Sequence, residues 1–220
     1  MTIRMIAGLL SLSMAVSCMM SEDYNAFYDG EFYPSEAGDE GYDDGGDSFD
    51  EIREKDRFIH VPYHSFNGYI RVLQEAALRP EVKSIKTTLY RLAKDSKVVK
   101  CLISAARNGK KVTAVVELLA RFDEESNIMW SKRMQEEGVN VIFGVEGLKI
   151  HSKLLLLETK KGNIACVGTG NFHEGNAKIY TDYLMMTARP RIVNEVAKVF
   201  DFIDRPFSQV RSRELMVSPN

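Results

Sequence analysis

The spacing of apolar and polar residues divides the chain into helices and strands from residue 49 onward. Apolar residues three and four positions apart predict helices at 66–78, 96–108, 123–137 and 191–203. Short apolar runs between them predict strands at 82–89, 112–118, 139–143 and 183–187. Ser65 precedes the first helix, while Gly109 and Gly138 follow the second and third, as is typical of helix starts and ends. Because helices alternate with strands that are apolar on both faces, we predict a single α/β domain with helices on both faces of its sheet.

A further hairpin spans residues 147–171 and carries the residues of greatest chemical interest. Alternate residues of an extended chain share a face, so His151 and Lys153 should project together. The second arm leads into the G-T-G-N stretch at 168–171, whose small residues let backbone N–H groups approach an anion closely. A nucleophile, a cation and an amide-rich loop together indicate phosphoryl chemistry.

A single histidine is more often structural than catalytic, but the neighbouring lysine favours a functional interpretation. An ammonium group beside an imidazole at a buried strand end is costly unless an anion binds there. Arg91 and Arg121 each follow a predicted strand, at the strand ends where open α/β sheets bind ligands. Their planar guanidinium groups suit phosphate oxygens. The alternative for Arg121 is a surface ion pair with Asp123 or Glu124.

Composition narrows the range of partners and compartments. The chain has 220 residues, 45% of them hydrophobic, and a net charge of −2. Without a global basic character it is not expected to bind nucleic acid, so any polyanion must be held locally. Cys101 and Cys166 lie in apolar surroundings and are predicted to be core thiols in a reducing compartment.

The N-terminal region differs from the rest of the chain. Residues 1–21 form an apolar leader that resembles a secretory signal or a weak lipoprotein site, and they are too short for a clear membrane span. Residues 22–48 are acidic and glycine-rich, a composition that predicts disorder. The folded domain is therefore assigned to 49–220. The apolar run near its end leads us to expect a C-terminal truncation.

Several motifs resemble known families. His151-Ser152-Lys153, then Glu158, then G-T-G-N resembles the phospholipase D pattern H-x-K-x4-D followed by G-S-x-N, with Glu158 in the aspartate position. Longer stretches are similar to polyphosphate kinases: I-K-T-T-L-Y-R at 85–91, V-V-E-L-L-A-R-F-D-E-E-S-N at 115–127, G-L-K-I-H-S-K at 147–153, G-T-G-N-F at 168–172 and Y-T-D-Y at 180–183.

The resemblance implies a phospholipase D-like mixed sheet and a specific reaction. This is the reversible, Mg²⁺-dependent transfer of the terminal phosphate of ATP to polyphosphate, leaving ADP, through a phosphohistidine. The implied site comprises His151 and Lys153 as catalytic residues, Tyr180, Asn171, Gly168 and Gly170 around the nucleotide and phosphates, and Arg91 and Arg121 at the Mg²⁺–phosphate site. Guanidinium groups are poor magnesium ligands, so the arginines are expected to hold phosphate oxygens that bind the metal. Glu117 is a candidate to orient the imidazole.

The resemblance covers only the first of the family's two phospholipase D-like domains. We therefore expect either a homo-oligomer or a missing second catalytic domain. Leu119 also stands where the family motif has lysine. Two alternatives remain: a phospholipase D-type phosphodiesterase or nuclease, and a catalytically incomplete polyphosphate-binding fragment. A kinase that uses ATP is expected in the cytoplasm, with export or membrane anchoring through the leader as the alternative.

Overall fold

A computed structural model describes residues 47–117, 120, 124–145, 147–205 and 213–217, together with the backbone of 13–14 and 16–18. The helices are α1 (Ser48–Glu54), α2 (Asn67–Leu78), α3 (Lys97–Arg107), α4 (Glu124–Glu136) and α5 (Pro190–Asp204). The strands are β1 (Ser13–Met14), β2 (Val16–Cys18), β3 (Arg57–Val61), β4 (Val82–Leu89), β5 (Lys111–Val116), β6 (Asn140–Ile142), β7 (Lys149–Ile150), β8 (Lys153–Thr159), β9 (Ile164–Gly168), β10 (Asp182–Thr187) and β11 (Leu215–Val217).

Seven strands form one mixed sheet in the order β3-β10-β9-β8-β4-β5-β6. The strands β4, β5 and β6 are parallel to one another, and the other neighbours in the sheet are antiparallel. Two short pairings lie outside it, β1 with β7 and β2 with β11. The mixed α/β sheet that the sequence predicts is therefore confirmed.

Each face of the sheet carries its own apolar core. On β8, Leu155 and Leu157 pack with α1, α2, α3 and α4, whereas Leu154 and Leu156 pack with α5 on the opposite face. All four leucines are fully buried. Each contributes about 1.5–3 kcal/mol of transfer free energy. A strand apolar on both faces thus fixes the central position of β8, with helices on both sides as predicted.

Local signals account for the helix ends. The Ser96 hydroxyl accepts the Val99 N–H at 3.2 Å at the start of α3. Gly109 and Gly138 follow α3 and α4 with φ of 76° and 83°, backbone angles that other residues adopt only at a cost. Ser65 lies one residue before the N-cap of α2, and its hydroxyl accepts the N–H of the first helical residue instead.

The structure adds elements that the pattern did not predict, among them α1 and β3. Asp47 caps α1 by accepting the N–H groups of Phe49 and Asp50, and β3 forms an edge of the sheet against β10. The disorder predicted for 22–48 and the signal predicted for 1–21 fall mostly outside the described residues. Within the described part of the chain, no helix combines the length and apolar character that a membrane span requires.

Candidate active site

A cleft of about 350 Å³ opens where β4 and β9 end and where β8 and β10 begin. Its lining consists of Tyr90, Arg91, His151, Lys153, Thr169, Gly170, Asn171, Asn176, Tyr180 and Asp182. Six of the eight residues predicted for the site are among them. Gly168 is adjacent, since it pairs in register with Lys153. Arg121 and Leu119 lie outside the described residues.

His151 occupies a two-residue break between β7 and β8 and is accessible from the cleft. Its ring meets that of Tyr90 edge-on, with the ring centres 5.1 Å apart and the planes at 75°. Partial burial, followed by the charges of Lys153 and Lys149, lowers the pKa of His151 below its ordinary 6.5. The imidazole is therefore neutral at pH 7, the state that a nitrogen nucleophile requires.

Glu117 lies beside this histidine but is bonded to the main chain. Its carboxylate accepts the N–H of Ile150 at 3.1 Å, and it is largely buried at the end of β5. Glu117 therefore fixes the backbone immediately before His151. None of the described residues is hydrogen-bonded to the imidazole itself.

Lys153 is a buried cation at the first position of β8. Its side chain is 6% exposed, and its ammonium group donates to the His151 carbonyl. Burial lowers the pKa of Lys153 to about 8, although the nearby Asp182 carboxylate acts in the opposite direction. A buried ammonium group that remains mostly charged at pH 7 favours the binding of an anion.

The G-T-G-N loop is held by Asp182, a residue that the sequence did not single out. The Thr169 hydroxyl donates to the Asp182 carboxylate at 2.8 Å and accepts the Tyr183 N–H at 3.0 Å. A Cβ atom added at Gly170 would lie 2.7 Å from the Asp182 Cβ and closer still to its carboxylate. Glycine is thus required here by the close approach of a side chain. The Y-T-D-Y motif was the available sequence signal for Asp182.

Asn171, Arg91 and Tyr180 complete the polar lining. The Asn171 side-chain oxygen is buried and has no hydrogen-bond partner within the described part of the chain, so its amide group is available to a ligand. Arg91 lies two residues after the end of β4 and lines the cleft. Tyr180 is 56% exposed at the rim, where a broad aromatic surface can contact a nucleobase.

The lining of the cleft offers few ligands for a magnesium ion. Among the described residues no cluster of three or more His, Cys, Asp or Glu side chains could hold a metal ion, and Asp182 is the carboxylate that lines the described cleft. Magnesium takes six oxygen ligands and often binds through substrate phosphates. These residues therefore fit an ion that arrives on phosphate oxygens, with Arg91 contacting the phosphates.

Glu158, which stands in the aspartate position of the phospholipase D pattern, lies away from the cleft. It accepts the Ser84 hydroxyl and approaches the Lys86 ammonium at 3.7 Å. Because Glu158 pairs with the start of β4 and the cleft lies beyond its end, this carboxylate joins β8 to β4 and does not touch the reacting groups.

Comparison with known proteins identifies close relatives. The sequence family described as polyphosphate kinase C-terminal domain 1 matches residues 47–209. Polyphosphate kinase from Salmonella typhimurium is 53% identical over 175 residues, which are 78% of this chain and 25% of that protein. The Escherichia coli K12 enzyme is 52% identical over the same shares. The chain thus spans about a quarter of the length of these relatives.

Solved structures agree in fold. The crystal structure of polyphosphate kinase from Porphyromonas gingivalis matches with a TM-score of 0.67 and 41% identity, covering 74% of this chain and 28% of that one. Nuc from Salmonella typhimurium, a phospholipase D family member, matches with a TM-score of 0.55 and 13% identity, covering 72% of this chain and 99% of that one. The second likeness shows a phospholipase D-like fold. From the family match and the identities, the chain belongs to the polyphosphate kinase family.

Proposed function

We propose that this chain carries the phosphoryl-accepting centre of an ATP:polyphosphate phosphotransferase, with His151 as the residue that becomes phosphorylated. The observation that supports this most is the convergence of His151, Lys153, Arg91, Asn171 and Tyr180 on one cleft. Between them they provide a neutral nucleophile, two cations, an amide group and an aromatic surface, which are the parts that phosphoryl transfer from a nucleotide requires.

In the first step a ring nitrogen of His151 supplies its electron pair to the γ-phosphorus of ATP. The nitrogen–phosphorus bond forms as the bond to the bridging oxygen breaks, and ADP leaves with that electron pair. Lys153 and Arg91 offset the charge on the transferring oxygens. The Lys153 ammonium is held in place before substrate arrives by its hydrogen bond to the His151 carbonyl.

In the second step the terminal oxygen of a polyphosphate chain attacks the same phosphorus and the nitrogen–phosphorus bond breaks. One cleft can serve both substrates because each presents a phosphoanhydride end to the same cations. Magnesium, when bound to the substrate phosphates, would supply further charge neutralisation. The overall reaction is reversible, since it breaks one phosphoanhydride bond, in ATP, and forms another of similar free energy at the end of the polyphosphate chain.

The chain covers a quarter of its relatives' length, and the cleft is open on the side of the exposed Tyr180. We propose that a second catalytic half closes it, contributed either by a further domain or by another copy of the chain. A measurement of molar mass with and without tripolyphosphate distinguishes the two sources, because only a second copy raises the mass of the purified chain.

The proposal is tested with γ-labelled ATP and Mg²⁺. We expect acid-labile, alkali-stable label on the protein that is lost in His151→Asn and passes to polyphosphate or ADP when either is added. His64→Asn is the matched control: His64 lines a different cleft, and its ring accepts the His60 N–H at 3.1 Å, a bond that an asparagine oxygen can replace.

Two results would identify the alternatives. Cleavage of a phosphodiester substrate without ATP, abolished in His151→Asn, would indicate phospholipase D-type chemistry instead. Binding of tripolyphosphate with no label from ATP would indicate a polyphosphate-binding fragment.

A further inference from the structure

Tyr90 stands at the centre of a cluster that includes the candidate nucleophile. Three alternating residues of the neighbouring segment contact its ring. The His151 ring lies 5.1 Å away at 75°, while the ammonium groups of Lys149 and Lys153 lie 5.5 and 5.3 Å from the ring centre. One half-buried aromatic ring therefore contacts the imidazole and the cations that flank it.

The main chain of Tyr90 is fixed from the other side by α4. The side-chain amide of the fully buried Asn127 donates to the Tyr90 carbonyl at 3.0 Å and accepts the Leu92 N–H at 3.0 Å. The same amide donates to the Glu117 carbonyl at 2.8 Å. The main chain of Tyr90 is thus anchored to α4 and, through the same amide, to the end of β5.

This arrangement constrains the imidazole in two ways. An edge-to-face aromatic contact limits rotation of the smaller ring, and the attraction of each ammonium for the ring face holds the cations in place. The Tyr90 ring also excludes water from one side of the imidazole, which disfavours its charged form. The charges of Lys149 and Lys153, on the same segment, act on the imidazole. Arg91 after β4 and Asp182 on β10 line the same cleft, and the Glu117 carboxylate lies at the N–H of the preceding residue, Ile150.

We propose that Tyr90 is a positioning residue, whose ring keeps His151 neutral and aimed into the cleft and keeps Lys149 and Lys153 on either side of it. This inference rests on the proposed function, in which His151 accepts phosphate. The ring carries the effect and the hydroxyl does not, because the contacts observed are made through the ring face and edge. Tyr90→Phe should therefore behave like the native chain, and Tyr90→Leu should not.

The first test is an NMR titration of His151, which needs no nucleotide. The native chain and Tyr90→Phe should titrate together, below pH 6.5. In Tyr90→Leu the midpoint should rise by about half a pH unit or more. Water would then reach the ring and stabilise the imidazolium, and the displaced lysines would no longer disfavour it. Tyr63→Leu is the control: Tyr63 is an exposed tyrosine that contacts His60, and its loss should leave the His151 midpoint unchanged.

The second test uses the rate of label transfer from γ-labelled ATP. Tyr90→Leu should lower the maximal rate at least about tenfold with little change in the half-saturating ATP concentration, while Tyr90→Phe stays within about twofold. If Tyr90→Leu does not fold, Tyr90→Met replaces it as a variant of similar volume.

These outcomes distinguish the positioning role of Tyr90 from the proposed phosphorylation of His151. A His151 midpoint that is the same in the native chain and in Tyr90→Leu overturns the positioning role, as does a Tyr90→Phe variant that is as slow as Tyr90→Leu. If the native chain takes up no label, the proposed function fails. The titration then still decides whether Tyr90 controls the imidazole.

Discussion

Gly170 and Asp182 show how the site depends on close approaches between single residues. They are twelve positions apart, yet a methyl group at Gly170 would overlap the carboxylate that binds Thr169. Alternation along an extended chain was enough to place His151 and Lys153 together. It could not reveal Asp182 or Tyr90, because their contacts with the hairpin come from strands distant in sequence.

Substitution of Gly170 should disable the site without unfolding the domain. In Gly170→Ala the new methyl group displaces Asp182 and breaks the 2.8 Å bond to Thr169, so label transfer from ATP should fall about tenfold or more. Thermal unfolding should change little, since the loop lies at the surface end of the sheet. The double variant Gly170→Ala/Asp182→Gly should be no slower than Asp182→Gly alone, because a glycine at 182 removes both the carboxylate and the Cβ that the new methyl group would overlap. If the losses in label transfer caused by the two single substitutions add fully in the double variant, Gly170 and residue 182 do not overlap as described.

Lys153 sets an upper pH limit for anion binding. With a pKa lowered to about 8 by burial, the ammonium group is charged at pH 7 and loses its charge as the pH rises through 8, well below an ordinary lysine. Tripolyphosphate binding measured by calorimetry should weaken several-fold between pH 7 and 9.5. Lys153→Arg should abolish this weakening, because guanidinium remains charged. Equal weakening in both proteins would assign the effect to another group.

At the scale of elements, α5 holds the C-terminal strand through one buried side chain. Glu195 is 5% exposed, and its carboxylate accepts the N–H groups of Arg213, Glu214 and Leu215 at 2.6, 3.0 and 2.7 Å. Leu215 itself is buried in the core beneath α5. The carboxylate and the leucine attach residues 213–217 to α5, in addition to the pairing of β11 with β2.

Removal of this carboxylate should release the attached strand. Glu195→Ala leaves three backbone N–H groups without their acceptor, which should cost about 2 kcal/mol or more and speed amide exchange at 213–215. Glu195→Gln retains one acceptor oxygen, so its stability and its amide exchange at 213–215 should lie between those of the native chain and Glu195→Ala. Asn194→Ala, at the neighbouring exposed position, should have no effect. Unchanged exchange in Glu195→Ala would show that the strand is held without this carboxylate, by Leu215 and the pairing with β2.

Elements with a strong local pattern were predicted well, and short edge elements were not. The strand β4 has the predicted bounds, Val82–Leu89, because valine, isoleucine, leucine and two threonines favour an extended chain there and Pro80 separates the strand from the preceding helix. Helix α1 has seven residues, and β3 has five, R-F-I-H-V, in which two apolar residues are adjacent. Neither is long enough to show a period, and each is stabilised by tertiary contacts, such as Phe49 in the core.

At the scale of the whole molecule, the end of the sheet opposite the cleft is held by an ion-pair network around Arg53 and Arg79. Arg53 binds Glu81 at 2.9 Å, while Arg79 binds Asp47 and lies 4.6 Å over the Phe49 ring. The Arg53 and Arg79 hydrogen bonds lower the pKa of Glu81 and of Asp47, respectively. The network joins α1 to the start of β4.

This network makes the fold sensitive to acid. The ordinary pKa is 4.5 for Glu81 and 3.8 for Asp47, and above these values both carboxylates stabilise the fold fully. Their contribution is lost as the pH falls through the lowered pKa values of the folded state. The melting temperature should therefore drop steeply below about pH 4.5, and less steeply in Glu81→Gln. Glu125→Gln, an exposed position on α4, should retain the native slope. If the melting temperature falls equally steeply with pH in the native chain, Glu81→Gln and Glu125→Gln, Glu81 does not have this role.

The most direct test of the account is the location of phosphate on the chain after incubation with ATP and Mg²⁺. Peptides prepared at alkaline pH, where phosphohistidine survives, are analysed by mass spectrometry. The account predicts one phosphate, on His151, that disappears when ADP is added. Phosphate at any other residue, or an unmodified His151 in a chain that binds ATP, would contradict it.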